Sequence, residues 1–225
     1  MKIRPITAFV GMNGSGKTMS AVRAARRAGR RLVTNVPGVP DSRHFTNLSS
    51  LLSIGFEDSD VVFDEAGVLF SSRNRSNDEK FLEVVQQLRK QRARLFWTAP
   101  AYARADKVLR EVTQEVVRCT SWFPGTDPAT PWPRARFIML RGYDAADFDA
   151  LGQSFDGRKL RVLGRELYRA SKWYDQFETL GKVTGLDAPG PVPVLAAAPE
   201  DPDPWSPPVE PSWLDTPRPT RRHAR

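Results

Sequence analysis

The stretch FVGMNGSGKT, residues 9–18, constrains this chain more than any other. Gly11, Gly16, Lys17 and Thr18 fill the pattern G-x-x-x-x-G-K-[ST], whose turn points consecutive backbone N–H groups inward around an anion. Such a turn needs a strand before it and a helix after it. The preceding ITAFVG is a short β-rich run, and KTMSAVRAARRAGR is alanine-rich, helical in composition and closed by Gly29. The whole loop, Gly11, Met12, Asn13, Gly14, Ser15, Gly16, Lys17 and Thr18, is therefore expected to cradle phosphates. Gly14 and Gly16 permit the unusual dihedrals, and the helix N-terminus adds positive potential. Lys17 is expected on the β- and γ-phosphates, and the Thr18 hydroxyl on Mg²⁺, which makes ATP and Mg²⁺ the expected cofactors.

A phosphate loop implies an α/β sheet, and the rest of the chain supplies one. RLVTNV reads as a second strand, LSSLLSIGF as a short helix and DVVFDEA as a buried strand. Phe81, Val84, Val85 and Leu88 recur at helical spacing, which predicts a long helix from about Asn77 to Arg92. RLFWTAP is a further strand, stopped by Pro100. Strands alternating with helices predict a mostly parallel sheet with helices on both faces, as in RecA-like P-loop NTPases. EVVRCTSW and RARFIMLRGY read as two later strands separated by a proline-rich turn, FPGTDPATPWP, and so as an antiparallel extension. SKWYDQFETLG is read as the last ordered element. From about Leu186 the sequence becomes proline-rich, which sets an ATPase domain at 1–185 and a disordered tail at 186–225.

The acids complete the chemical pattern. Asp64 follows three apolar residues at the end of a buried strand, where its carboxylate would face the metal. Glu65 is placed to polarise a water toward the γ-phosphate as a general base. That pair favours hydrolysis over transfer to a small-molecule acceptor. Thr98, at the end of the next strand, could hydrogen-bond the γ-phosphate or the attacking water, or act only as a strand-end threonine. Arg73 is the candidate finger reaching a neighbouring subunit's site, which implies a homo-oligomer.

Composition narrows the partners. The 34 Lys and Arg against 26 Asp and Glu give a formal net charge of +8, which favours polyanions through counterion release. The single cysteine, Cys119, excludes an intrachain disulfide framework and alternates with Val117 and Ser121 as a buried structural thiol would. No secretory h-region and no run of about 18 apolar residues is found, so the expected setting is the host cytoplasm or a virion, without a membrane span.

Together GMNGSGKT, VVFDEAGVLFSSR, the helix ending LRKQR, LFWTAP and ADKVLREV resemble the ATPase domain of zonular-occludens-toxin-like proteins. These are filamentous-phage assembly ATPases within the wider FtsK/HerA group of DNA pumps, and the resemblance spans roughly residues 3 to 180. It implies an oligomeric ring that couples ATP hydrolysis to moving or exporting phage DNA; a phage capsid or membrane-complex protein is a further expected partner. Two departures stand out. Relatives carry a threonine-glutamine pair on the fourth strand where this chain has Thr98 and Ala99. They also continue into a membrane span where this chain has its proline-rich segment. A soluble DNA motor is therefore expected, ahead of an export ATPase with a separate membrane partner and of a nucleotide-gated binding protein with little turnover.

Overall fold

A computed structural model describes residues 1, 3–66, 75–127, 130–151 and 160–174. The first strand, β1 (Ile6–Val10), runs into the glycine loop and then α1 (Lys17–Arg26). There follow β2 (Arg31–Thr34), β3 (Ser42–His44), α2 (Leu48–Ile54), β4 (Ser59–Phe63), α3 (Arg75–Lys90) and β5 (Arg94–Ala99). A 3₁₀ turn at Tyr102–Arg104 and α4 (Lys107–Val112) lead into β6 (Glu115–Asp127), β7 (Thr130–Asp144), α5 (Ala145–Leu151) and β8 (Val162–Arg169).

These strands form one sheet in the order β3-β2-β4-β5-β1-β6-β7-β8. Every neighbouring pair from β3 to β6 is parallel, while β7 and β8 add in antiparallel fashion. The expected fold class and the antiparallel extension are both present. One strand, β5, separates the phosphate-loop strand β1 from the acid-bearing strand β4.

Burial explains the parallel half. Phe63, Leu95 and Trp97 project to one face and meet Phe81, Val84 and Leu88 of α3. Phe9, Val62 and Phe96 project to the other and meet Met19, Val22 and Ala25 of α1. Fully burying each such side chain contributes about 1.5–3 kcal/mol, so covering both faces favours apolar strands without alternation. Asn47 accepts from the Ser50 backbone N–H at 2.7 Å in a capping box that starts α2. Arg94 fixes the entry of β4 by a two-point contact with buried Asp60, at 2.7 and 2.5 Å.

The structure departs from the sequence expectations in three respects. β3 is a three-residue strand with no apolar residue to announce it. The helices α4 and α5 and the strand β8 were not anticipated. The segment read as a proline-rich turn is strand for most of its length, with Pro124 paired to Ala135. On the turn side of the Trp122–Phe137 pair neither β1 nor β8 pairs with the β6–β7 ribbon, so proline there disturbs no central ladder. The last expected element is described only as far as residue 174, where a 3₁₀ turn spans Ala170–Lys172. The expected boundary at 185/186 and the tail lie outside the described residues.

Candidate nucleotide-binding site

The glycine loop sits at the carboxyl end of β1, and its dihedrals explain its residues. Gly11, Gly14 and Gly16 have φ of 154°, 77° and 81°. At Gly16 a Cβ would lie 2.2 Å from Ile138 Cδ1, and at Gly11 one would lie 2.5 Å from the Cys119 carbonyl oxygen. Around Gly14 a Cβ would meet nothing within 4 Å, so there the backbone conformation alone selects glycine. The first turn of α1 contains no acidic residue, and its N-cap Gly16 offers no side chain to the orphan N–H groups. An uncapped helix start of this kind leaves N–H groups open to an anion.

Lys17 reaches back over the loop and donates to the Met12 carbonyl at 3.0 Å. Burial lowers its pKa from the usual lysine value, against the opposing pull of Asp64, Cys119 and Glu65. A half-buried ammonium beside an uncapped helix start is a cation that an incoming polyanion would stabilise. Met12, Asn13 and Gly14 are exposed at the loop tip, whereas the Ser15 side chain is buried and its Oγ has no hydrogen-bond partner.

Asp64 directly follows β4, and the fold brings it to the loop. The Thr18 hydroxyl donates to Asp64 Oδ1 at 2.6 Å, and the Thr98 hydroxyl donates to the same oxygen at 2.7 Å. Thr98 Oγ1 in turn accepts the Glu65 backbone N–H at 3.0 Å. Thr98 is fully buried, so its one proton is committed to Asp64, and its hydroxyl links the two acids. Glu65 itself is exposed and has φ of 52°, a left-handed conformation rare outside glycine and concentrated at functional sites.

Sequence reasoning missed Asn35. Its side-chain oxygen accepts the Asp64 N–H at 2.7 Å, and its Nδ2 donates to the Asp64 carbonyl at 3.1 Å. This amide pins the turn that carries both acids. The available signal was an asparagine inside the apolar run RLVTNV, and the structure shows it buried, where only a paired amide is tolerated. A cavity of about 350 Å³ also opens beside the loop, with Met12, Tyr102, Tyr143 and Phe148 among its walls. Arg73 lies outside the described residues.

Cys119 is buried, and burial pushes its thiol up to about 12, as expected of a structural cysteine. The donors fit Mg²⁺, which commonly takes one or two protein oxygens and completes its shell from phosphates and water. Thr18 and Asp64 offer that pair, because the threonine oxygen keeps its lone pairs after donating its proton.

The architecture is a mostly parallel α/β sheet with a glycine loop between its central strand β1 and the helix α1. No family model and no curated protein matches the sequence. Similar solved structures include the N-terminal domain of zonular occludens toxin from Neisseria meningitidis, at 17% identity and a TM-score of 0.47, covering 79% of this chain and 100% of that one. The genome-packaging NTPase B204 of Sulfolobus turreted icosahedral virus 2, bound to ATP-gammaS, matches at 10% identity and a TM-score of 0.42, over 71% and 98% of the two chains. The FIGL-1 AAA domain with ADP matches at 16% and 0.40, over 51% of this chain and 42% of that one. Among the described residues no helix is long and apolar enough to cross a membrane.

Proposed function

We propose that this chain is an ATP-hydrolysing motor subunit of phage or mobile-element origin that packages or translocates DNA. One observation carries the hydrolytic part: Asp64 Oδ1 receives the hydroxyls of both Thr18 and Thr98, and the Thr98 oxygen receives the Glu65 N–H. Both acids are thereby held in a fixed relation to the loop that would hold the phosphates. Bound Mg²⁺ would neutralise charge on the β- and γ-phosphates. Lys17 and the α1 N–H groups would hold the phosphate oxygens. The exposed Glu65 carboxylate would take a proton from water as its oxygen attacks the γ-phosphorus, and the bond to the bridging oxygen breaks to leave ADP. The apolar cavity beside Met12 has room for the nucleotide's base and sugar.

The motor part draws on the net charge of +8 and on the resemblance of the quoted motifs to DNA pumps. A ring is proposed in which Arg73 of one subunit completes the next subunit's site. The test is phosphate release measured with and without DNA, alongside the mass of the assembly and a mixing experiment. Lys17→Ala and Arg73→Ala subunits should each be inactive alone and recover part of the activity when co-assembled. Full activity from a strict monomer would contradict the ring.

A further inference from the structure

The two faces of the antiparallel half of the sheet are unequally covered. Residues paired across β6, β7 and β8 share a face, which gives three rows: Arg118–Arg141–Arg165, Thr120–Met139–Leu167 and Trp122–Phe137–Arg169. The alternate residues Cys119, Ile138, Leu140 and Tyr168 are buried in one cluster with Met19 and Val22 of α1. Among the described residues, the open rows are not covered in this way. Trp122 is 43% and Leu167 54% exposed, and Thr120, Arg165 and Arg169 are exposed with them.

The row of three arginines is chemically unusual. Like charges directly opposite one another on neighbouring strands, about 5 Å apart, oppose folding. None of the nine residues is acidic, so within these rows the arginines are not alternated with carboxylates; Arg118 has an interaction of its own, and Arg165 and Arg169 are the exposed cations of the face. Glu166, the one acid of β8, lies on the covered face and is taken by Arg23 and Arg27, each at 2.6 Å. Arg141 Nε is buried without a hydrogen-bond partner. Four residues along the strands from the arginine row, Trp122, Phe123 and Phe137 form edge-to-face contacts with centroids 6.2 and 6.4 Å apart, and Phe123 is 66% exposed. Cations in one row and flat rings in another match a polyanion whose repeating units each present a π face.

We propose that this open face binds a single strand of nucleic acid, with its phosphates along the arginine row and its bases on Trp122 and Phe137. The face adjoins the cavity beside the phosphate loop, whose walls include Arg118 and Thr120, and extends away from it over β7 and β8. It deepens the proposed function by placing the nucleic acid, and it rests on the DNA part of that reading and not on hydrolysis. A duplex keeps its bases stacked inside and could not use the rings, so the face selects an unpaired strand.

The test is fluorescence anisotropy of the full chain, without nucleotide, on a labelled oligodeoxythymidine of about 16 nucleotides. Parallel arms use a duplex of equal length and phosphatidylserine vesicles. Arg165→Glu with Arg169→Glu should weaken strand binding at least roughly tenfold and flatten its salt dependence by about 1.4 in log–log slope, two contacts' worth. Arg31→Glu with Arg43→Glu changes the net charge equally on exposed positions of β2 and β3 and should do much less. Trp122→Ala should weaken binding by roughly fivefold or more with the salt slope unchanged, since stacking involves no counterion. Equal loss in both charge-reversed pairs, or wild-type binding by Trp122→Ala together with the Arg165/Arg169 pair, would overturn the proposal. So would tighter binding of the duplex or the vesicles, or no strand binding by the wild-type chain. Strand binding lost through this face in a chain that releases no phosphate from ATP would support the face and contradict only the hydrolytic reading.

Discussion

The Thr18 hydroxyl donates to Asp64 Oδ1 at 2.6 Å across 46 residues of sequence. This bond joins the first turn of α1 to the end of β4, so the expected phosphate and metal ends of the site are coupled before any ligand arrives. Asp64 can take part only because its own backbone is held, and Asn35 does that holding with two hydrogen bonds.

Asn35→Ala should therefore act on catalysis through Asp64 and Glu65. It leaves a buried N–H and a buried carbonyl without their partners, a cost of about 1–3 kcal/mol in stability. The turnover number should fall by more than KM rises, because the acids lose their positions while the phosphate loop stays intact. Steady-state kinetics beside thermal unfolding checks this; an unchanged turnover number in a destabilised protein would make Asn35 purely structural.

Lys17 gives a pH signature. Burial favours its neutral amine in the free protein, and a bound polyanion would restore the ammonium. Nucleotide binding at about pH 9–10, below the ordinary lysine value, should then take up protons, and binding near neutrality should take up fewer. Calorimetric titrations in buffers of different ionisation enthalpy measure the uptake directly. Lys17→Ala should lose both the alkaline proton uptake and phosphate release, and the same uptake in that variant would assign it to another group.

Gly16 tests the cradle itself. Gly16→Ala places a methyl group against buried Ile138 and forces alanine to φ of 81°, so nucleotide affinity should fall at least about tenfold and stability by about 1–3 kcal/mol. Adding Ile138→Val removes the colliding methyl. It should return part of the stability and little of the affinity, because the dihedral strain remains. Full return of affinity would show that crowding alone made the glycine necessary.

The sequence carried the parallel half of this fold in strong local signals. The glycine loop, the apolar runs of β1, β4 and β5 and the spacing of Phe81, Val84 and Leu88 all appear as expected. Asp64 and Thr18 were legible because their residue types and positions fit one chemistry. What stayed hidden depends on distant partners. β8, VLGRELYR, is rich in helix-favouring residues and becomes a strand only by pairing with β7. Asn35 lay within the run RLVTNV, read as a strand, and nothing in the sequence names its partner, the Asp64 backbone. The Thr98 hydroxyl, free in sequence to face phosphate or water, is already given to Asp64.

The most direct measurement is phosphate release by Glu65→Gln, made together with Mg·ATP binding. Glu65 is exposed beside the loop and bonds through its backbone to Thr98, so removing its charge should leave the site assembled. The hydrolytic account predicts binding close to the native chain's and release slowed by about 10²–10⁴-fold, with Asp64→Asn instead weakening binding in its Mg²⁺ dependence. Undiminished release from a folded Glu65→Gln chain, or no release from the native chain under any condition with ATP bound, would contradict it.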